Sequence, residues 1–151
     1  MNMTAKTAKE ETLATVLIGR WEQVGRKLAT LAEAFPEDRY ESAPAEGVRT
    51  VGDVLRHVAF WNQYVADSAN GSKVDDSLNE LPKADYATKA RVVKALNRTS
   101  ADAASAVQSH AGKMDAKTAE MIVSFIEHTS EHYGQLVVYA RLNGIVPPAS
   151  R

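Results

Sequence analysis

Apolar side chains recur at helical spacing along the first third of the chain. Between Leu13 and Phe35 they follow one another at intervals of three or four residues, which places them on one face of a helix. Pro36 ends the pattern, and Thr7 followed by Glu10 gives a capping-box sequence at its start. The predicted stripe consists of Leu13, Leu17, Trp21, Val24, Leu28, Leu31 and Phe35.

A second helix is predicted to begin at Thr50 and to end before Gly71. The run Thr50-Val51-Gly52-Asp53 matches a capping box, and a glycine such as Gly71 is common just after a helix. Its inward-facing residues are predicted to be Val51, Val54, Leu55, Val58, Trp61, Asn62 and Val65. Both tryptophans of the chain, Trp21 and Trp61, are expected in the core.

Two further helices are predicted, from about Asp85 to His110 and from about Asp115 to Asn143. Gly112 is interpreted as the glycine that ends the third helix. The third helix has a thin, alanine-rich stripe of Val92, Leu96, Thr99, Ala103 and Val107. The apolar face of the fourth helix contains Ile122, Phe125, Ile126, Tyr133, Leu136, Val137 and Ala140. Its end is marked by Arg141 in the last turn, by Gly144 and by Pro147-Pro148.

Four amphipathic helices without strand-like alternation predict an all-α four-helix bundle, and residues 1–151 are interpreted as a single domain. The connections at 36–49 and 71–84 are longer than most bundle loops. We expect them to cap the end of the bundle near a site.

Composition narrows the classes of function. A net charge of −1, with 18 basic residues interspersed among 19 acidic ones, gives no basic surface for nucleic acid. The polar N-terminus lacks the apolar core of a signal peptide, and no apolar run is long enough to span a membrane, so a cytoplasmic protein is expected. The chain has no cysteine, so any metal would have only nitrogen and oxygen ligands from the protein.

Three of the four histidines are predicted to form a metal site. His128 and His132 lie four residues apart, so both rings project from one helix face. His57 lies 14 residues before Gly71, while His132 and His128 lie 12 and 16 residues before Gly144. If the second and fourth helices run parallel with their C-terminal ends level, all three rings lie at one depth. The alternative is that they are boundary histidines whose nitrogens bond to backbone or water.

Several polar residues are candidates for supporting such a site, whereas a zincin-type hydrolase is excluded because no glutamate directly follows His128. Glu131 is expected to face solvent, and His110 is left out because it lies at the far end of the third helix. The candidates for orienting or catalytic roles are Gln135, Tyr139 and Tyr64. The candidates for a fourth ligand are Asp75, Asp76 and Glu80.

The two histidine-bearing segments resemble the DinB/YfiT-like metalloenzyme family. The resemblance lies in the run from Thr50 to Val58, in the run from His128 to Leu136 with its Gly-Gln step, and in the run from Tyr139 to Gly144 that precedes Pro147-Pro148. It implies a four-helix bundle of DinB type, commonly a homodimer, with a divalent ion, usually zinc or nickel, on His57, His128 and His132. It also implies thiol-dependent transferases or isomerases, in which the ion activates a low-molecular-weight thiol cosubstrate.

Two classes of function stay open. One is a metal-dependent enzyme that acts on a small-molecule substrate, either as a thiol-dependent transferase or isomerase or by activating water as a hydrolase. The other is a non-catalytic metal-binding homodimer with a stress-response or interaction role. Three ligands leave the coordination shell of the ion incomplete, which favours the enzyme.

Overall fold

The computed structural model of the protein describes residues 11–151, apart from the side chain of Lys113. Within that range lie four α-helices and no strand, so the predicted all-α four-helix bundle is confirmed. The helices are α1 (Leu13–Ala34), α2 (Val51–Ala69), α3 (Lys89–Ser109) and α4 (Ala116–Leu142). Short 3-10 turns lie at Glu37–Arg39, Ala111–Lys113 and Pro148–Ser150. No helix of the described residues combines the length and the hydropathy needed to cross a membrane.

The helices pack in a ring, in which α1 and α2 each contact both α3 and α4. Contacts between residues at the same level of two neighbouring helices show whether those helices run parallel or antiparallel. The Asn62 amide donates to the Thr99 hydroxyl, and Arg56 donates to the Tyr86 carbonyl at the other end, so α2 and α3 run parallel. The Trp21 indole donates to the Ser100 carbonyl, while further along α1 the Phe35 carbonyl accepts from Lys89, so α1 and α3 run antiparallel.

The parallel arrangement of α2 and α4, the condition under which the three rings were placed at one depth, is not observed. The Tyr139 hydroxyl lies against Arg49 at the start of α2, whereas Phe125 stacks on Trp61 further along α2, so the two helices are antiparallel. The histidines still lie at one depth, because His57 follows Arg49 by eight residues while His132 precedes Tyr139 by seven. The long connection after α2 returns the chain to the start of that helix, and this return fixes the directions of α3 and α4.

The ends of α2 and α4 match the prediction, and α3 ends at His110 as predicted, whereas the start of α3 differs. The Thr50 hydroxyl caps α2 by accepting from the Asp53 amide at 3.1 Å, and Gly71 and Gly144 adopt φ angles of +80° and +71° beyond α2 and α4. Helix α3 begins at Lys89 instead of Asp85, because residues 82–86 form a separate turn on the Pro82 carbonyl.

Two expectations about helix termini are also wrong. Gly112 lies in the 3-10 turn after α3 and has no positive φ, so it does not end that helix; His110 is the C-cap. Leu13 occupies the first turn of α1 and is 70% exposed, so it does not belong to the buried stripe. Thr12 caps α1, and the Thr7 to Glu10 capping box lies outside the described residues.

The core lies along the bundle axis in two clusters. One is centred on the side chains of Leu28, Phe35, Leu55, Leu96 and Leu136. The other includes Trp21, Val65, Val107 and Ile122. Trp21 is buried as expected, but Trp61 is partly exposed and lies beside the histidines, so its assignment to the core is corrected.

A buried arginine joins both long connections to α2. Arg56 is 1% exposed and donates to the Asp53 carboxylate at 2.7 Å, the Tyr86 carbonyl at 3.0 Å and the Glu41 carboxylate at 3.4 Å. A Cβ atom on Gly52 would lie only 3.0 Å from the Arg56 guanidinium, so the glycine makes room for this side chain. Arg56 therefore fixes the backbone directly beside His57.

Candidate metal centre

The structure brings His57, His128 and His132 together at the seam between α2 and α4. One ring nitrogen from each histidine lies within 4.8 Å of the other two. His57 is 7% exposed, and the other two rings are partly exposed, so the cluster is open to solvent on one side. The three residues named from sequence spacing therefore form one group that could hold a metal ion.

A backbone carbonyl from the second long connection sets the tautomer of His57. Its Nδ1 lies 2.8 Å from the Asn79 carbonyl oxygen, which can only accept, so Nδ1 carries the proton. The unprotonated Nε2 then points into the cluster, 2.9 Å from Nε2 of His128. Binding of a metal requires such a free imidazole lone pair.

Asn79 adopts a backbone conformation that few residues tolerate. Its φ is +59°, and the Glu80 amide donates across it to the Leu78 carbonyl at 2.7 Å, closing a three-residue turn. Its side-chain oxygen accepts from the Trp61 indole at 3.0 Å. Asparagine enters this left-handed region more readily than most residues. Asn79 could not be predicted from the sequence, since the turn is recognisable only once the connection is folded.

A chain of three hydrogen bonds lies behind His132. Its Nδ1 donates to the Gln135 side-chain oxygen at 2.8 Å, the Gln135 amide donates to the Tyr139 hydroxyl at 2.9 Å, and that hydroxyl donates to the Arg49 carbonyl at 3.0 Å. Of the candidate polar residues, Gln135 therefore bonds to the outer side of the His132 ring and orients it, and Tyr139 holds Gln135 in place. Their proposed part in catalysis stays a prediction.

The third candidate, Tyr64, belongs to an aromatic wall at the other end of the site. Its ring lies 5.0 Å from that of Trp61 and 5.6 Å from that of Phe125. Phe125 in turn meets the edge of His128 at 5.8 Å. The site thus has an aromatic end at Tyr64 and a polar end at Arg49, and a catalytic role for Tyr64 stays a prediction.

His128 differs from the other two because its outer nitrogen is unpartnered. Nδ1 is buried and has no hydrogen-bond partner within the part of the chain that the structure describes. Burial, with smaller electrostatic effects of the neighbouring His132, His57 and Arg49, lowers the pKa of His128 to about 4. Burial likewise lowers the pKa of His57. Both rings are therefore neutral at neutral pH, and the set of three imidazole donors fits a divalent transition-metal ion.

The lowered pKa of His128 predicts how the metal-free protein responds to acid. Between its ordinary pKa of 6.5 and the folded value of about 4, the unfolded chain binds more protons than the folded one. The free energy of unfolding should therefore fall as the pH is lowered through this window. Urea unfolding at about pH 7 and about pH 5 should show a smaller decrease for His128→Gln than for wild type. An equal decrease in both proteins would contradict the assignment.

The remaining ionisable candidates lie apart from the three rings. The Glu80 carboxylate pairs with Arg49 at 2.6 Å, Asp75 accepts from Ser77, and Asp76 is exposed. Among the described residues, no carboxylate joins the histidine group, so none of the three candidates completes a coordination shell. Glu131 is exposed as expected, and His110 lies outside the group.

Comparison with known proteins places the chain in a family. A search of curated proteins finds none that matches. A sequence model of the DinB superfamily matches residues 20–136, which include α2, most of α1 and α4, and all three histidines. This match covers well over half of the sequence and agrees with the four-helix fold. The chain therefore belongs to the DinB superfamily.

Proposed function

We propose that the protein is a metal-dependent enzyme in which His57, His128 and His132 bind one divalent ion, zinc or nickel, through their Nε2 atoms. The observation that carries the proposal is the state of the outer nitrogens. Nδ1 of His57 and Nδ1 of His132 each donate to an oxygen acceptor at 2.8 Å, which leaves both Nε2 lone pairs free on the inner side. Histidines that served only as boundary residues would not need their free nitrogens to converge.

Three imidazole ligands suit a catalytic ion better than a structural one. Structural zinc sites usually have four protein ligands, whereas catalytic sites keep a position open. Such an ion acts as a Lewis acid that lowers the pKa of a bound thiol or water molecule. Since the chain has no cysteine, a reactive thiol would have to come from a cosubstrate. A thiol-dependent transferase or isomerase acting on a small electrophile is therefore the favoured activity, and a hydrolase is the second.

The residues around the ion would then orient its histidine ligands and offer a surface for the reactants. Asn79 and Gln135 hold two rings in one tautomer, and the buried environment of His128 keeps its ring neutral. The aromatic wall formed by Trp61, Tyr64 and Phe125 offers an apolar surface next to the three rings. The homodimer implied by the family resemblance remains a prediction.

A thiol-conjugation assay tests the proposal. Protein loaded with zinc or nickel is mixed with monobromobimane and each of a panel of low-molecular-weight thiols near neutral pH. A free thiol of pKa about 8.5 is only a few per cent ionised there, and a fully ionised thiol of lower pKa is also a weaker nucleophile. Ionisation alone should therefore accelerate the reaction about 5-fold to 30-fold. Metal-free protein and His128→Ala are the controls.

The two outcomes of this assay distinguish the enzyme from the non-catalytic metal-binding protein. Acceleration that needs both the ion and His128 would support the transferase. A metal-loaded protein that accelerates neither thiol conjugation nor ester hydrolysis would contradict the enzyme and favour the non-catalytic metal-binding homodimer.

A further inference from the structure

We propose that Arg49 and Glu80 are positioning residues for the histidine cluster, and that their ion pair makes His57 and His132 one mechanically linked unit. The inference rests on the proposed metal site and deepens it, because it assigns residues that control how tightly the ion is held. The Arg49 and Glu80 side chains bond to each other and not to a histidine ring. Glu80 acts through Asn79, the residue before it in the chain, and Arg49 acts through Tyr139.

The link to His57 passes through the second long connection. The Asn79 carbonyl accepts from His57, and Glu80 is the next residue. Asn79 holds a φ of +59°, which the surrounding contacts must maintain. The Trp61 indole fixes its side chain on one side, and the Glu80 carboxylate is fixed by Arg49 on the other, at 2.6 Å.

The link to His132 passes through the backbone of Arg49. The Arg49 carbonyl accepts from the Tyr139 hydroxyl, which holds Gln135, which holds His132. Arg49 also immediately precedes Thr50, the N-cap of α2, so its backbone is anchored at the start of the helix that carries His57. The Arg49 carbonyl therefore accepts the last of the three hydrogen bonds behind His132, while the Arg49 side chain pairs with Glu80 in the turn behind His57.

The exposure of the pair argues for positioning instead of stability. The Arg49 and Glu80 side chains are 37% and 33% exposed, and ion pairs with this much access to water contribute little to the free energy of unfolding. Removing the pair should thus leave the fold intact. It should weaken ion binding, because contacts behind a metal ligand commonly change affinity by about 10-fold to 100-fold. Since the Arg49 and Glu80 side chains do not bond to a histidine directly, we expect a smaller loss of ion affinity, about 3-fold to 10-fold.

A double-mutant cycle tests the inference. The dissociation constant for Co²⁺ is measured for wild type, Arg49→Met, Glu80→Gln and the double variant, with the urea midpoint of each metal-free protein. Each single change should weaken binding about 3-fold to 10-fold, and the double variant should be no weaker than the worse single variant. Arg49→Lys should restore part of the affinity. Asp102→Asn, which removes the exposed Arg98–Asp102 pair on α3, is the matched control and should bind like wild type.

Two results of the binding measurements would overturn the proposal. Additive losses in the double variant would mean that the residues act separately. A loss confined to Glu80→Gln, with Arg49→Met unchanged, would mean that Glu80 is itself a ligand.

Nitrogen-15 spectra of the histidines in metal-free protein give a readout that needs no ion. Wild type should show His57 and His132 protonated at Nδ1, and both variants should show mixed tautomers at His57. Unchanged tautomers would reject the positioning role, whereas fixed tautomers in a wild-type protein that binds no ion would reject only the proposed function.

Discussion

Zinc or nickel should raise the thermal stability of the wild-type protein, and this gain should vanish when any one of His57, His128 and His132 is replaced by alanine. An ion at about 100 times its dissociation constant adds about 2.7 kcal/mol to the free energy of unfolding. In a domain of this size, that corresponds to a rise in Tm of about 5–10 °C. Each variant removes one of three ligands, which should weaken binding more than the roughly 100-fold limit for outer contacts.

The control for this experiment is the fourth histidine. His110→Ala removes an exposed ring at the end of α3 and should leave the metal-dependent rise in Tm unchanged. Calorimetry with and without excess metal, and again after chelation, measures the effect. A single alanine variant of the cluster that responds to metal as strongly as wild type would show that its histidine is not a ligand.

Replacing Arg56 by methionine should destabilise the protein by about 3 kcal/mol. Removing one partner of a buried ion pair commonly costs about 3–5 kcal/mol, because the other partner is left without its counter-charge. The lower end applies because Asp53 is 28% exposed and can recover some hydration. The Tyr86 carbonyl also loses its donor, so both long connections lose an anchor. Urea unfolding of the metal-free protein measures the change.

A matched control separates burial from charge. Arg98→Met removes an arginine whose side chain is 48% exposed and pairs with Asp102, so its effect should stay below about 1 kcal/mol. If Arg56→Met were no more destabilising than Arg98→Met, the buried network would not contribute to stability as argued. Because Arg56 precedes His57, its loss is also expected to weaken ion binding.

The helices were predictable from the sequence because their apolar stripes and caps are local signals. The Thr50 cap and the glycines beyond α2 and α4 lie where the pattern places them. The direction of each helix was not predictable, since a stripe is the same in either direction. Helix α3 starts late because residues 82–86 bond to one another in a turn, a choice that the helical pattern alone does not reveal.

The residues of the candidate site were likewise predictable where their signal is local and were missed where their role depends on the folded chain. His128 and His132 could be paired from their spacing on one helix, and His57 was placed at the right depth even though the assumed direction was wrong. Asn79 and the Arg49 backbone were missed, because they act through carbonyl groups that any residue carries. Trp61 was assigned to the core because its position on the stripe does not show that the neighbouring surface is open.

The central claim is that the three histidines hold one ion, and the metal content of the protein tests it most directly. Protein purified without a histidine tag is analysed by elemental mass spectrometry beside the triple variant His57→Ala, His128→Ala, His132→Ala. We expect about one equivalent of a transition metal, zinc or nickel, in the native protein and none in the variant. A native protein that stays free of metal after supplementation and dialysis, or a variant that retains the same content, would contradict this claim.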